Sequence, residues 1–205
     1  IIGWGDTVAD LVGTPDIFAE IMAKSRELAP DAELWVNEGV ILPTGDRIAL
    51  YEDAIKRLIA ADAAPDGIGF MGHFSASSLT PPELLLKRYA RFAKLVPNLQ
   101  ITELDVGTEG DEDVQADYYR DVLITAFSHR AMEAVIMWGF WEGRHYKPER
   151  ALWRSNWEIK PCGKAWIDLV HNRWRTDETL ETDAEGKACV RGFLGEYEIT
   201  VTHDG

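Results

Sequence analysis

The chain of 205 residues is 46% hydrophobic, enough apolar content to bury a full core over one large domain or one and a half small ones. Its net charge of −14, from 21 basic against 35 acidic residues, argues against nucleic acid or an anionic membrane as partner and fits a neutral ligand better. Cys162 and Cys189 lie far apart without C-x-x-C spacing, so neither a disulfide framework nor a zinc site is indicated and the compartment is left open.

No apolar run approaches the roughly 18 residues that cross a bilayer. The first residues, Ile1-Ile-Gly-Trp4, carry neither an initiating Met nor the basic start and apolar stretch of a signal peptide, so the true beginning is expected upstream. Thr14-Pro15 reads as a cap and first-turn proline opening a helix to about residue 29, and residues 34–37 read as a strand. A second helix spans 46–61, with Ile48, Tyr51, Ile55, Leu58 and Ile59 on one stripe. Residues 67–73 follow as a strand, and Thr80-Pro-Pro-Glu83 reads as a capping box opening a helix with Leu85, Tyr89, Phe92 and Val96 on one side. The strand 99–105, a helix over 111–130, the strand 134–138 and a helix over 161–173 complete the regular part. The tail changes character: 187–193 and 196–202 alternate apolar and polar residues around Leu194-Gly195, which predicts a β-hairpin.

Strands about 33 residues apart, each pair joined by one helix, make right-handed βαβ units on a parallel sheet. The spacing suits half of a (β/α)₈ barrel; doubly wound sheets have similar units. Asn37, His73, Glu103 with Asp105, and Trp138 all fall near the C-terminal ends of successive strands, where barrel enzymes place their sites. A dinucleotide fold would show a glycine fingerprint after one strand, and the sequence has none.

The strand Ile101-Thr-Glu-Leu-Asp-Val106 carries the chemistry. Alternation places Ile101, Glu103 and Asp105 on one face, with Thr102, Leu104 and Val106 on the other. Two carboxylates on a buried strand must find partners or be used, since unpartnered burial of charge is costly. A purely structural, satisfied pair is the alternative. In Gly67-Ile-Gly-Phe-Met-Gly-His-Phe74, His73 sits at a neighbouring strand end. An Asp–His hydrogen bond would fix its ring and leave the other nitrogen free to hold Glu103.

These three segments, Asp66-Gly-Ile-Gly-Phe-Met-Gly-His73, Ile101-Thr-Glu-Leu-Asp-Val106 and Met137-Trp-Gly-Phe-Trp141, resemble glycoside hydrolase family 10, the endo-β-1,4-xylanases. The resemblance covers about residues 1–175, in the family's order. It implies an α/β fold, the C-terminal half of a TIM (β/α)₈ barrel in four βα units, with residues 176–205 as a small β-hairpin extension. By the same resemblance Glu103 matches the nucleophile, His73 the histidine that hydrogen-bonds it, and Asp105 the acid that holds the histidine. Asn37, Met71, Trp138, Trp141 and Tyr146 fall at substrate-lining positions, and Met71 replaces a glutamine that the family uses to hydrogen-bond substrate. The implied partner is β-1,4-xylan or xylo-oligosaccharides, the implied location secreted or periplasmic, and neither metal nor organic cofactor is implied.

The family's general acid/base, from a Trp-Asp-x-x-Asn-Glu motif, would fall immediately before Ile1. Asn37-Glu38 looks superficially similar but lies one unit later, so Glu38 is assigned to cleft lining or structure. A retaining glycosidase needs two carboxylates about 5 to 5.5 Å apart, and Glu103 supplies one. The isolated chain is therefore expected to be inactive. Of the remaining aromatic residues, Trp166 and Trp174 read as core or docking residues, while Trp153 and Trp157 suit either core or sugar stacking. Arg144, His145 and Lys147 read as loop docking rather than recognition of acidic groups. The rival function is a non-catalytic carbohydrate-binding protein on the same barrel, for which Met71 speaks.

Overall fold

A computed structural model describes residues 11–13 and 16–203; the sequence readings for Ile1 to Trp4 and for Thr14-Pro15 lie outside them. In chain order the elements are α1 (Ile17–Leu28), β1 (Trp35–Glu38), α2 (Ile48–Ala60), β2 (Gly67–Phe70), β3 (His73–Ser75), α3 (Pro82–Phe92), β4 (Leu99–Gly107), α4 (Glu112–Ser128), β5 (Met132–Met137) and α5 (Pro161–Ile167). The helix expected over 161–173 changes character at its end, Asp168–Arg173 winding as a π-helix.

The pairings among the five described strands are parallel. β1 pairs with β2, β2 with β4 and β4 with β5, while β3 continues past β2 to pair with the C-terminal part of β4. The strand expected over 67–73 is thus two pieces, broken at Met71-Gly72. Among the described strands β1 and β5 each have one neighbour and form the sheet edges.

The core lies between one face of this sheet and the helices. Val36, Ile68, Phe70, Leu99, Ile101, Leu104 and Val106 meet Tyr51, Ile55 and Leu58 of α2, Leu85, Tyr89 and Phe92 of α3, and Tyr119, Val122 and Leu123 of α4. Those of α2 and α3 are the helical stripes read from the sequence; Ile59 alone of its stripe turns outward, 39% exposed. Each fully buried aliphatic or aromatic side chain contributes roughly 1.5–3 kcal/mol, which is what commits the helices to that face. Asp111 caps α4 by accepting from Val114 N at 3.0 Å, with Glu112 and Asp113 favourably placed in the first turn.

Two local expectations change. Thr80 does not cap α3: its hydroxyl donates to Leu42 O at 2.8 Å and Pro43 O at 2.7 Å. Both carbonyls lie in the buried β1–α2 connection, so satisfying them outweighs a cap that solvent could replace. The tail hairpin is also not formed, since residues 176–203 contain no strand and are almost all exposed. A two-stranded hairpin without a third strand or a packed face is marginal in water, and this one has neither. The tail is instead tethered by Phe193, edge-on to Phe127 at 5.2 Å, which itself stacks on Trp174 at 4.1 Å.

Candidate active site

β4 is irregular where the chemistry lies, with a register shift against β5 between Ile101 and Leu104. Strict alternation therefore fails. Ile101 joins the helix-side core, fully buried, whereas Thr102 and Glu103 both reach Asn37 on the opposite face of the sheet. The bulge is the device that turns Glu103 away from the core, as bulges near functional sites commonly re-aim a side chain.

His73 stands between the two carboxylates. Its Nε2 lies 2.9 Å from Glu103 Oε2 and its Nδ1 lies 3.0 Å from Asp105 Oδ2. Asn37 Nδ2 donates to the other oxygen of Glu103 at 3.4 Å, and Thr102 donates to Asn37 Oδ1 at 2.8 Å, which fixes the amide's orientation. At the far end, Arg150 Nη1 donates to Asp105 Oδ1 at 2.6 Å. The row runs from a fully buried Asp105 through His73, 29% exposed, to Glu103, 16% exposed. The buried Asp105 anchors the row, and Glu103 at the other end remains partly accessible.

Electrostatics follow from that arrangement. Burial pushes the His73 imidazole towards its neutral form, but the hydrogen bonds and charges of Asp105 and Glu103 prevail and raise its pKa above the ordinary 6.5. For Asp105, burial disfavours ionisation, yet His73 and Arg150 outweigh it and lower the pKa below the ordinary 3.8.

Two aromatic rings stand beside the middle of the row. Trp138 and Tyr146 stand edge-on to His73, with centroids at 5.8 and 6.1 Å. Trp138 N donates to Leu104 O, which seats the ring beside β4. Buried His145 stacks on Tyr146 at 5.2 Å and accepts from Lys147 N at 3.0 Å, so it docks the loop, as expected; Arg144 and Lys147 are exposed. Met71 is half-buried at the β2–β3 break, and its backbone N donates to Glu38 O. Its thioether brings no hydrogen-bond donor to that position. Glu38 is buried and accepts from Gly39 N at 3.0 Å with Arg47 at 3.9 Å, within the β1–α2 corner. Trp141 lies in a separate stack with Trp157. Among the described residues no group of three or more His, Cys, Asp or Glu side chains is placed to hold a metal ion.

Sequence reasoning missed Arg150 and Thr102. Arg150 had a signal: a histidine accounts for one oxygen of a buried aspartate, and the second oxygen demanded a donor from elsewhere in the chain.

A parallel β/α array with a carboxylate, a histidine and aromatic rings at the C-terminal ends of its strands is the arrangement of a (β/α)₈-barrel site. Comparison with known proteins agrees. Residues 6–169 match the model of glycosyl hydrolase family 10, and the chain belongs to that family. It is similar to xylanase 10B from Thermotoga petrophila RKU-1, solved in complex with xylobiose, with a TM-score of 0.70 and 25% identity over 78% of this chain and 52% of that one. Among curated proteins it is 33% identical to the anti-sigma-I factor RsgI6 of Acetivibrio thermocellus, over 92% of this chain and 24% of that protein. It is 30% identical to endo-1,4-beta-xylanase 2 of Arabidopsis thaliana, over 91% of this chain and 17% of that protein. The chain thus spans about half of the solved xylanase and a quarter or less of these curated relatives, and its fold is part of a TIM barrel.

Proposed function

We propose that this chain carries the nucleophile half of a retaining endo-β-1,4-xylanase site. Glu103 attacks the anomeric carbon of a β-1,4-linked xylose unit, and the glycosidic C–O bond breaks as the Glu103–sugar ester forms. His73 and Asn37 each hold one oxygen of Glu103 and fix its aim, Asp105 orients His73, and Trp138 and Tyr146 flank the reacting ring. The observation that carries this reading is the unbroken row Asp105–His73–Glu103, whose terminal carboxylate stays 16% exposed while Asp105 is fully buried. The acid that protonates the leaving oxygen, typically worth 10²- to 10⁴-fold, is assigned to sequence outside this chain, so the 205 residues alone should not turn over xylan.

A dinitrophenyl 2-deoxy-2-fluoro-xylobioside tests the nucleophile without needing that acid, because its leaving group departs unprotonated. Mass spectrometry should find one fluoroxylobiosyl unit on Glu103 and none in Glu103→Gln. Labelling at another carboxylate would overturn the assignment.

A second reading is recognition of xylan without turnover, and Met71 favours it: half-buried at the β2–β3 break, its thioether offers no hydrogen-bond donor to a sugar. Xylo-oligosaccharide binding with no labelling would select it.

A further inference from the structure

After β5 the chain folds into a tight loop over residues 138–160. Leu152 N and Trp153 N both donate to Phe140 O, and Lys160 N donates to Leu152 O. Trp153 packs against the core. Trp141 is held from below: a Cβ on Gly143 would lie 2.3 Å from its indole, so glycine is what permits the contact, and Trp141 Nε1 donates to Ser155 O at 3.2 Å. Trp157 stacks on Trp141 with centroids 5.1 Å apart and planes 11° from parallel.

Trp157 is unusual on two counts. Its φ of 69° lies in the left-handed region, which bulky side chains rarely adopt, and the residue is 60% exposed although one ring face stacks on Trp141. Relaxing the backbone or burying the indole would each be favourable, and the fold does neither. The turn is also pinned on both sides, Arg154 N donating to Glu158 O at 2.8 Å, Trp157 N to Arg154 O at 2.9 Å and Glu158 N to Asn156 Oδ1 at 3.0 Å. Strain held in place by its surroundings, on a residue that presents a flat apolar face to water, is the mark of a binding position.

The geometry points to Trp157 as a carbohydrate-stacking platform, separate from the Glu103–His73 row, that receives a neutral pyranose unit of a xylo-oligosaccharide on its outer face. This rests on the carbohydrate reading above. Trp141 is three positions after Trp138, so their Cα atoms are at most about 11 Å apart and the platform lies on the same rim. Glu142, which accepts from Ser155 N, and Asn156 and Glu158, the chain neighbours of Trp157, are polar groups with acceptors for sugar hydroxyls. The same carboxylates and the net charge of −14 repel anions.

Calorimetric titration of the 205-residue chain with xylohexaose and xylobiose tests this. Trp157→Gly should weaken xylohexaose binding roughly two- to tenfold, Trp157→Tyr should retain most of it, and xylobiose should bind all three proteins alike. Glycine suits a φ of 69°, so the glycine variant should unfold at no lower urea concentration, which separates lost binding from misfolding. Equal xylohexaose affinities for the glycine variant and the parent chain would overturn the platform alone. Equal weakening of both sugars would place Trp157 in the primary cleft and overturn its separateness. Failure of the parent chain to bind either sugar would overturn the carbohydrate reading and the platform together.

Discussion

Replacing Arg150 by Met keeps most of the buried side-chain volume but removes the guanidinium facing Asp105 Oδ1. The two side chains are 9% and 0% exposed, so solvent cannot take over the lost partner. At 2.6 Å and an effective dielectric constant of 20 their attraction is about 6 kcal/mol, and desolvation of both groups offsets part of it. Removing one side of a buried pair leaves an uncompensated charge, and the expected loss is about 3–5 kcal/mol. That is a large share of the roughly 5–15 kcal/mol that holds an ordinary domain folded. Urea unfolding followed by circular dichroism measures it. The double variant Asp105→Asn with Arg150→Met should lose less than the sum of the two single variants, since no buried charge is then stranded. A loss below about 1 kcal/mol for Arg150→Met, the range of exposed pairs, would refute the claim that Arg150 anchors the row.

Stability should depend on pH through the same groups. His73 has a raised pKa, so its contribution is complete below its unfolded value near 6.5 and is lost as pH rises through the higher folded value; a His73 resonance titrating at or below 6.5 by NMR would contradict this. Asp105 has a lowered pKa, so its contribution is complete above its unfolded value near 3.8 and is lost as pH falls through the folded value, which acid-unfolding curves of the parent and Asp105→Asn would compare. Gly107→Ala should cost about 1–3 kcal/mol in urea unfolding, because the new Cβ would lie 2.7 Å from Arg150 Nε, and an unchanged midpoint would show that the guanidinium can yield. Joined to an upstream half that supplies an acid/base, Glu103→Gln should abolish release of reducing sugar while leaving xylo-oligosaccharide binding largely intact; a parent enzyme whose first product by proton NMR is the α-anomer would show the nucleophile to be misassigned.

The repeat of strand and helix, the helical stripes and the meeting of His73 with Glu103 and Asp105 were legible in the sequence alone. Periodicity is a local property, and strands in register at their C-terminal ends need only the βα repeat to bring their last residues together. Tertiary structure decided what depends on partners distant in the chain. The bulge that moves Ile101 to the core and Thr102 to the site answers to β5, and the donor for Asp105 comes from 45 residues away. Thr80 gave up a cap to satisfy two buried carbonyls of another loop, and the tail's alternating pattern found no surface on which a hairpin could bury a face. Trp153 and Trp157, alike in sequence, parted into core and solvent because one loop pins its backbone in a conformation that only the folded chain can enforce. Sequence pattern states which face a residue prefers, but burial and hydrogen-bond satisfaction across the whole fold choose among the preferences that conflict.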